Sequence, residues 1–70
     1  MTNHAIAERL RRESARKPDP HRARAYLVAA DNIEAHPEPV ARLREQGRLR
    51  TLRGVGPSIE GFIGRLLDGE

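Results

Sequence analysis

The stretch Leu52-Arg53-Gly54-Val55-Gly56-Pro57-Ser58-Ile59 lies between two apolar runs of the chain and decides how they are joined. From Ile59, the last residue of this stretch, apolar residues recur on one face of a helix. They are Ile59, Phe62, Ile63, Leu66 and Leu67. Pro57 suits the first position of such a helix, where its missing N–H would have no partner. The two glycines allow a tight turn and a close approach of another group to the backbone. The stretch therefore predicts a turn with free N–H groups at the positive end of a helix, where a phosphate binds favourably.

Length and composition indicate one small domain with an aliphatic core, over residues 1–70. The chain has one Phe, one Tyr and no Trp, and a domain of this size buries only about 60% of its unfolded surface. It has no cysteine, which excludes disulfides and thiolate metal sites. It has no apolar run near the ~20 residues that span a membrane, and no signal-peptide pattern. We therefore expect a cytoplasmic, nucleoid-associated protein without a membrane partner.

The charge of the chain is basic, +3 at pH 7, and every basic residue except Lys17 is an arginine. Arginine binds phosphate through two hydrogen bonds at once and keeps its charge when partly buried. Five arginines approach the glycine turn: Arg42, Arg44, Arg48, Arg50 and Arg53. Such a cluster is typical of a nucleic-acid-binding surface. The alternative is that arginine usage reflects genomic base composition and carries no information about binding.

Capping residues and prolines divide the first half of the chain into two helices. Thr2 or Asn3 can cap the first helix. Pro18-Asp19-Pro20 ends that helix, and Asp19 then caps the second, with Pro20 at its first position.

The second half predicts two more helices joined by a short turn. The third helix follows Pro37-Glu38-Pro39 and ends at Gly47. A short helix or turn carries Leu49 and Leu52 to the glycines, and the last helix runs from Pro57 to about Leu67. No strand pattern is present, so we expect an all-α bundle of four helices, or five if the short turn is counted. The predicted core is Ile6, Leu10, Ala23, Leu27, Ala30, Ile33, Val40, Leu43, Leu52, Ile59, Ile63 and Leu66.

The pattern Leu-x-Gly-Val-Gly-x-x-Ile resembles a helix-hairpin-helix motif, which binds the DNA backbone without reading bases. The glycines alone are weak evidence. Their apolar frame, Leu49 and Leu52 before and Ile59 and Ile63 after, makes the resemblance more specific. The alternative is a glycine cap followed by a second helix, with no ligand.

Three further stretches extend the resemblance over nearly the whole chain: Asn3-x-x-Ile6-Ala7, Pro20-His21-Arg22-Ala23-Arg24-Ala25-Tyr26 and Gly47-Arg48-Leu49. In this order they resemble the N-terminal domain of family X DNA polymerases, a domain related to the polymerase β lyase domain. The resemblance implies a compact four-helix domain that binds the 5′-phosphate end of gapped DNA in DNA repair.

The resemblance places a phosphate pocket at His21, Arg22, Tyr26 and Arg50. It places the hairpin's peptide groups at Gly54, Val55 and Gly56, and it places Ser58 where the family has a further lysine. With Arg53 of the arginine cluster, the residues expected to contact DNA phosphates are therefore His21, Arg22, Tyr26, Arg50, Arg53, Gly54, Val55, Gly56 and Ser58. The resemblance also implies that the carbonyls of Arg50, Leu52 and Val55 can hold Na⁺ or K⁺. We expect no other cofactor.

Catalysis is not expected from this chain. The nucleophilic lysine of the animal repair enzymes falls on Phe62, which cannot form an imine. Lys17 is the only lysine and is expected to be solvated, whereas a Schiff-base amine must be desolvated. His4, His21 and His36 lack metal-ligand spacing.

Two other functions are compatible with the sequence. The chain can be a protein-interaction module, which would show Val28 and Phe62 together as an exposed apolar patch. It can also be the excised N-terminal domain of a family X polymerase, with the polymerase portion as a covalent neighbour.

Two substitutions test the predicted phosphate site. We expect Arg50→Ala to weaken DNA binding, to lower the salt slope by about one unit and to leave melting almost unchanged. Gly56→Val is expected to weaken binding more, and to cost about 1–3 kcal/mol of stability if the φ of Gly56 is positive. Val55 is expected to anchor the turn in the core. Titration of labelled DNA at several salt concentrations measures both effects, and normal binding by Arg50→Ala at low salt would contradict the pocket.

Overall fold

The structure, a computed structural model, describes residues 1–69 and contains four α-helices. These are α1 (Asn3–Ser14), α2 (Pro20–Ala35), α3 (Val40–Glu45) and α4 (Pro57–Leu67). A single 3₁₀ turn, Leu49–Thr51, joins α3 to the glycine stretch. Residues 1–69 contain no strand, so the predicted all-α fold with four helices and a short extra turn is confirmed. None of these helices is long and apolar enough to cross a membrane.

The first two helices begin at the predicted caps. The Thr2 hydroxyl accepts a hydrogen bond from the Ala5 N–H at 3.0 Å, so Thr2 rather than Asn3 caps α1. The Asp19 carboxylate accepts from the His21 N–H at 2.9 Å, and Pro20 is the first residue of α2. Each cap satisfies one of the N–H groups that a helix start leaves without an internal partner.

The Asn3 side chain joins α1 to the loop between α2 and α3. Its amide donates to the carbonyls of His36 and Glu38, at 3.3 and 2.8 Å. Its carbonyl oxygen accepts from the N–H of Val40 at 2.8 Å, at the start of α3. Because Pro39 offers no capping side chain, Asn3 acts as the cap of a helix far away in sequence.

The buried face of α2 is rotated from the predicted one. Leu27 is 44% exposed and Ala23 is only half-buried, so both were wrongly assigned to the core. Tyr26 and Ala29 are buried in their place, beside Ala30 and Ile33 as predicted; the other predicted core residues are also buried. Because α2 is apolar at nearly every position from Ala25 to Ala30, periodicity alone does not select the face.

Gly54 holds the hairpin against α2. Its φ is +89°, a conformation that L side chains rarely adopt. A Cβ built on Gly54 would lie 3.0 Å from Val28 Cγ1 and 3.1 Å from the backbone nitrogen of Ala29. The turn backbone therefore packs directly on the α2 backbone, and Val55 beside it is buried as predicted.

Gly56 does not have the positive φ that would strain another residue at this position. Its φ is −100° and its ψ is −173°, extended backbone that any residue adopts. A Cβ there would meet nothing within 4 Å. Because the φ of Gly56 is not positive, Gly56→Val is not expected to cost about 1–3 kcal/mol through backbone strain. The glycine whose conformation other residues rarely adopt is Gly54.

We predict that Gly54→Ala destabilises the domain by about 1–3 kcal/mol, because it combines a disfavoured φ with a backbone collision. The matched substitution Gly56→Ala should cost less than about 1 kcal/mol, because only the preference of a helix cap for glycine over alanine is lost. Urea unfolding of the two variants measures the difference. Equal destabilisation would show that the packing of Gly54 on α2 is not the constraint.

Candidate nucleic-acid interface

A cleft of about 180 Å³ opens between α2 and the hairpin. Arg22, Ala25 and Tyr26 of α2 form one wall. The other wall is backbone and small side chains from the glycine turn and the first turn of α4, namely Gly54, Gly56, Pro57, Ser58 and Ile59. The structure thus brings together five of the predicted phosphate-contacting residues, which are Arg22, Tyr26, Gly54, Gly56 and Ser58.

The start of α4 at this cleft has no cap. Gly56 occupies the capping position before Pro57, and no side chain caps the helix. Among residues 1–69, no group accepts a hydrogen bond from the N–H of Gly56, Ser58 or Ile59. These donors lie at the positive end of the helix dipole and can bind an anion.

The N-terminal ends of α2 and α4 have similar sequences but differ in capping. Asp19-Pro20-His21 at the start of α2 and Gly56-Pro57-Ser58 at the start of α4 place proline at the same helical position. In α2 the Asp19 carboxylate occupies the N–H of the residue after proline. In α4 that acceptor is missing, and the space above Gly56 is open. An external anion can therefore take the place that Asp19 fills in α2.

Tyr26, in the α2 wall of the cleft, lies between two other side chains. Its ring packs edge-on against Phe62, with the ring centroids 5.7 Å apart at an interplanar angle of 72°. The Lys17 ammonium lies 5.0 Å from the Tyr26 ring centroid, within the range of a cation–π interaction. No group of residues 1–69 hydrogen-bonds to the Tyr26 hydroxyl, and that atom is not buried. The hydroxyl is thus available to a ligand.

Lys17 was expected to be solvated, and Phe62 was expected to be exposed if the chain were a protein-interaction module; the structure shows neither. Lys17 is not a solvated loop residue, since its side chain is only 24% exposed and its ammonium lies 3.1 Å from Glu13 Oε2. Phe62 is half-buried against Tyr26. Phe62 is therefore not an openly exposed partner of Val28; the exposed large apolar side chains of α2 are Leu27 and Val28.

The remaining predicted contact residues lie around the cleft rather than in its lining. The His21 side chain is exposed, and the backbone N–H of His21 donates to the Asp19 carboxylate. Arg53 is exposed with no carboxylate within 4.0 Å among the described residues. Arg50 is exposed as expected, and its Nη1 lies 3.9 Å from Glu60 Oε1. An exposed pair at this distance contributes little to stability, so the Arg50 guanidinium can exchange Glu60 for a phosphate.

Arg44, predicted to be part of the arginine cluster, forms a bidentate ion pair with Asp68 at the end of α4. The two N–O distances are 2.5 and 2.8 Å. Hydrogen bonding to Asp68 raises the pKa of Arg44, and the guanidinium lowers the pKa of the Asp68 carboxyl. The guanidinium lies over Gly64, 3.5 Å from where a Cβ would stand. Arg44 therefore ties α3 to α4 and does not serve as a free cation.

A second ion-pair network joins α1 to α2. Glu34 pairs with His4, and its other oxygen lies 2.6 Å from Arg11, which also reaches Asp31 at 3.2 Å. Hydrogen bonding to Glu34 raises the pKa of His4 and of Arg11, and hydrogen bonding to His4 and then Arg11 lowers the pKa of Glu34. Like the pair at Arg44, this network places carboxylates beside structural arginines.

The carbonyls predicted to hold a monovalent cation are largely free. Within residues 1–69, no backbone N–H outside the helices donates to Arg50 or Val55, whereas the Leu52 carbonyl accepts from the Val55 N–H at 3.2 Å. Two of the three predicted carbonyls thus have no backbone donor from outside the helices, and the third is already engaged. No cluster of three His, Asp or Glu side chains suited to a metal occurs in that part of the chain.

The sequence interpretation missed three contributors to this region: Ala25 in the cleft wall, Glu60 beside Arg50, and Lys17 on the Tyr26 ring. Glu60 lies three residues beyond Pro57, in the first turn of α4, so its position near the hairpin could have been found from spacing. The Lys17 contact joins residues of different helices and has no comparable local signal.

A family model described as a helix-hairpin-helix domain matches residues 1–70, the full length of the sequence. The chain belongs to this family. Helix-hairpin-helix domains generally bind DNA. No curated protein and no solved structure matches the chain significantly. The broader resemblance is thus confirmed, and the narrower one, to family X polymerases, stays a prediction.

The ion pair of His4 and Glu34 predicts a pH-dependent contribution to stability. Because the pKa of His4 is raised, its contribution is complete below the ordinary value of 6.5 and is lost as pH rises through the raised value. Because the pKa of Glu34 is lowered, its contribution is present above 4.5 and is lost as pH falls through the lowered value. His4→Gln should therefore lower the thermal midpoint most between pH 4.5 and 6.5.

Above about pH 9, where imidazole is neutral, His4→Gln and the parent should melt alike. His21→Gln is a suitable control, because His21 is also exposed and its ring has no carboxylate within 4.0 Å among residues 1–69. A difference between His4→Gln and the parent that stays constant from mildly acidic to alkaline pH would contradict the ion pair.

Proposed function

We propose that this domain binds DNA through backbone phosphates, without sequence preference, at the cleft between α2 and the hairpin. The single observation that carries the proposal is the uncapped start of α4, with free N–H groups and open space above Gly56. Contacts from backbone N–H groups and arginine side chains position a protein on DNA but do not read its bases.

The charges around the cleft support the same assignment. Arg22 lines the cleft, while Arg50 and Arg53 are exposed on the segment leading to the hairpin. The Tyr26 hydroxyl is free to donate to a phosphate oxygen. Neutral N–H donors, exposed arginine side chains and one hydroxyl suit a phosphodiester or a phosphate monoester.

The narrower part of the proposal concerns the biological context. The resemblance to family X polymerases supports a role as an accessory or N-terminal domain in DNA repair, acting on gapped DNA with 5′-phosphate ends in the cytoplasm. In this role the domain is not itself an enzyme, since Phe62 stands at the lyase lysine and Lys17 is paired with Glu13. A Na⁺ or K⁺ ion on the carbonyls of Arg50, Leu52 and Val55 would bridge the hairpin to the DNA.

The test compares two substitutions that change the net charge equally. Gly56→Asp copies the cap that Asp19 provides in α2, so it should raise stability by a few tenths of a kcal/mol. It should also abolish or strongly weaken DNA binding, because the carboxylate occupies the phosphate position and repels the DNA. Gly61→Asp adds the same charge further along α4, outside the cleft, and should weaken binding much less.

Fluorescence anisotropy with gapped and blunt duplexes of unrelated sequence measures the affinities. The parent should bind unrelated sequences within tenfold of one another at fixed salt, and each phosphate contact should contribute a salt slope of about −0.9. Equal effects of the two aspartates, or an affinity of the parent that does not change with salt, would refute binding at this cleft.

A further inference from the structure

Lys17, the only lysine of the chain, is fixed at the junction of α1 and α2. Its backbone N–H donates to the Ser14 carbonyl at 3.1 Å, which keeps it close to the end of α1. The Ser14 hydroxyl in turn donates to the Ala23 carbonyl of α2 at 2.9 Å. These two hydrogen bonds hold the backbone of Lys17 beside the start of α2.

The Lys17 side chain lies against Tyr26 and Glu13. Its ammonium is 5.0 Å from the Tyr26 ring centroid and 3.1 Å from Glu13 Oε2, and only 24% of the side chain is exposed. Tyrosine side chains in helices lean toward the helix N-terminus, and Lys17 precedes that end of α2. The ammonium is therefore placed over the ring whose free hydroxyl belongs to the cleft.

Tyr26 has a second cation beside it in the wall of the cleft. Arg22 precedes Tyr26 by four residues, so the two side chains share one face of α2. Arg22 is exposed, and no carboxylate lies within 4.0 Å of it among residues 1–69. Glu13 thus neutralises only one of the two cations that flank the tyrosine. An anion bound at the hydroxyl would attract both.

The ion pair of Lys17 with Glu13 is placed so that its partners can separate. Water reaches both side chains, which are 24% and 22% exposed, so separation leaves no buried charge without a partner. Glu13 Oε1 also lies 3.8 Å from Nη1 of Arg16. Glu13 therefore keeps a cation nearby when the Lys17 ammonium moves to another anion.

We propose that Lys17 is a further phosphate-binding residue of the cleft, and that Glu13 competes with DNA for its ammonium. The inference rests on the DNA binding proposed above. In the free domain the ammonium is paired with Glu13 over the Tyr26 ring. When a DNA phosphate binds at the Tyr26 hydroxyl and Arg22, the ammonium turns to that phosphate, because a charge-assisted hydrogen bond to it replaces the one to Glu13.

The first experiment compares the loss of one positive charge at two adjacent positions. Lys17→Gln removes the ammonium over Tyr26. Arg16→Gln removes a guanidinium that is 77% exposed and pairs with the same Glu13. The affinity of each variant for a duplex of about 20 base pairs is measured by fluorescence anisotropy at several salt concentrations.

Lys17→Gln should bind about tenfold more weakly in about 50 mM salt, and its salt slope should be smaller by about 0.9. Lys17→Arg, which keeps the charge, should restore most of the affinity and of the slope. Arg16→Gln should weaken binding less than about twofold, because an exposed charge away from the phosphate is screened. Melting of each variant is followed in parallel.

The second experiment removes the competitor. If the pair with Lys17 were only structural, its loss would not tighten DNA binding. If Glu13 competes with DNA, Glu13→Gln should bind about threefold to tenfold more tightly than the parent at low salt. Glu8→Gln is the matched control, since it removes a carboxylate that lies on the same helix and pairs with Arg11. It should tighten binding much less.

Equal losses for Lys17→Gln and Arg16→Gln would reduce the effect to net charge and overturn the inference. So would a Glu13→Gln variant that binds no more tightly than Glu8→Gln. If Lys17→Gln melts lower and Lys17→Arg does not restore binding, Lys17 acts only through packing, and the inference is again wrong. These outcomes leave the hairpin site intact, whereas a parent that binds no DNA refutes the proposed function and this inference together.

Discussion

The close packing of the Gly54 backbone on α2 is the constraint on which the rest of the structure depends. The φ of Gly54 is +89°, and a Cβ built there would lie 3.1 Å from the Ala29 nitrogen, so a side chain would crowd α2. This contact sets where Val55 enters the core and where α4 begins. It thereby places the open start of α4 opposite Arg22 and Tyr26, so the cleft exists because a glycine lets two backbones touch.

The two glycines of the turn have different physical roles. The fold favours glycine at position 54, since its φ is strained for other residues and a Cβ there would crowd α2. Gly56 is extended and faces open space, so nothing inside the domain requires it to be glycine. A side chain there would cap α4, as Asp19 caps α2. Because this end is uncapped, its N–H donors stay available, as the proposed phosphate contact requires.

Ion pairing separates structural arginines from those available to a ligand. Arg11 and Arg44 each bind carboxylates on another helix, and these pairs join α1 to α2 and α3 to α4. The arginines around the hairpin have at most a distant carboxylate, as with Arg50 and Glu60. A count of arginines near a motif therefore overestimates its positive field, because only the fold shows which guanidinium groups are already neutralised.

Local chemistry in the sequence determined the helices, and tertiary packing decided the faces and the site. Caps, prolines and the Gly-Val-Gly turn act within a few residues, so α4 was predicted from Pro57 to about Leu67 and is found there. The inner face of α2 was not predictable, because a nearly continuous apolar run has no single periodic face; the close approach of Gly54 and the packing of Phe62 selected Tyr26 over Leu27. The pairing of Arg44 with Asp68 likewise joins residues far apart in the chain. Such contacts depend on how helices are placed in space, which no local pattern encodes.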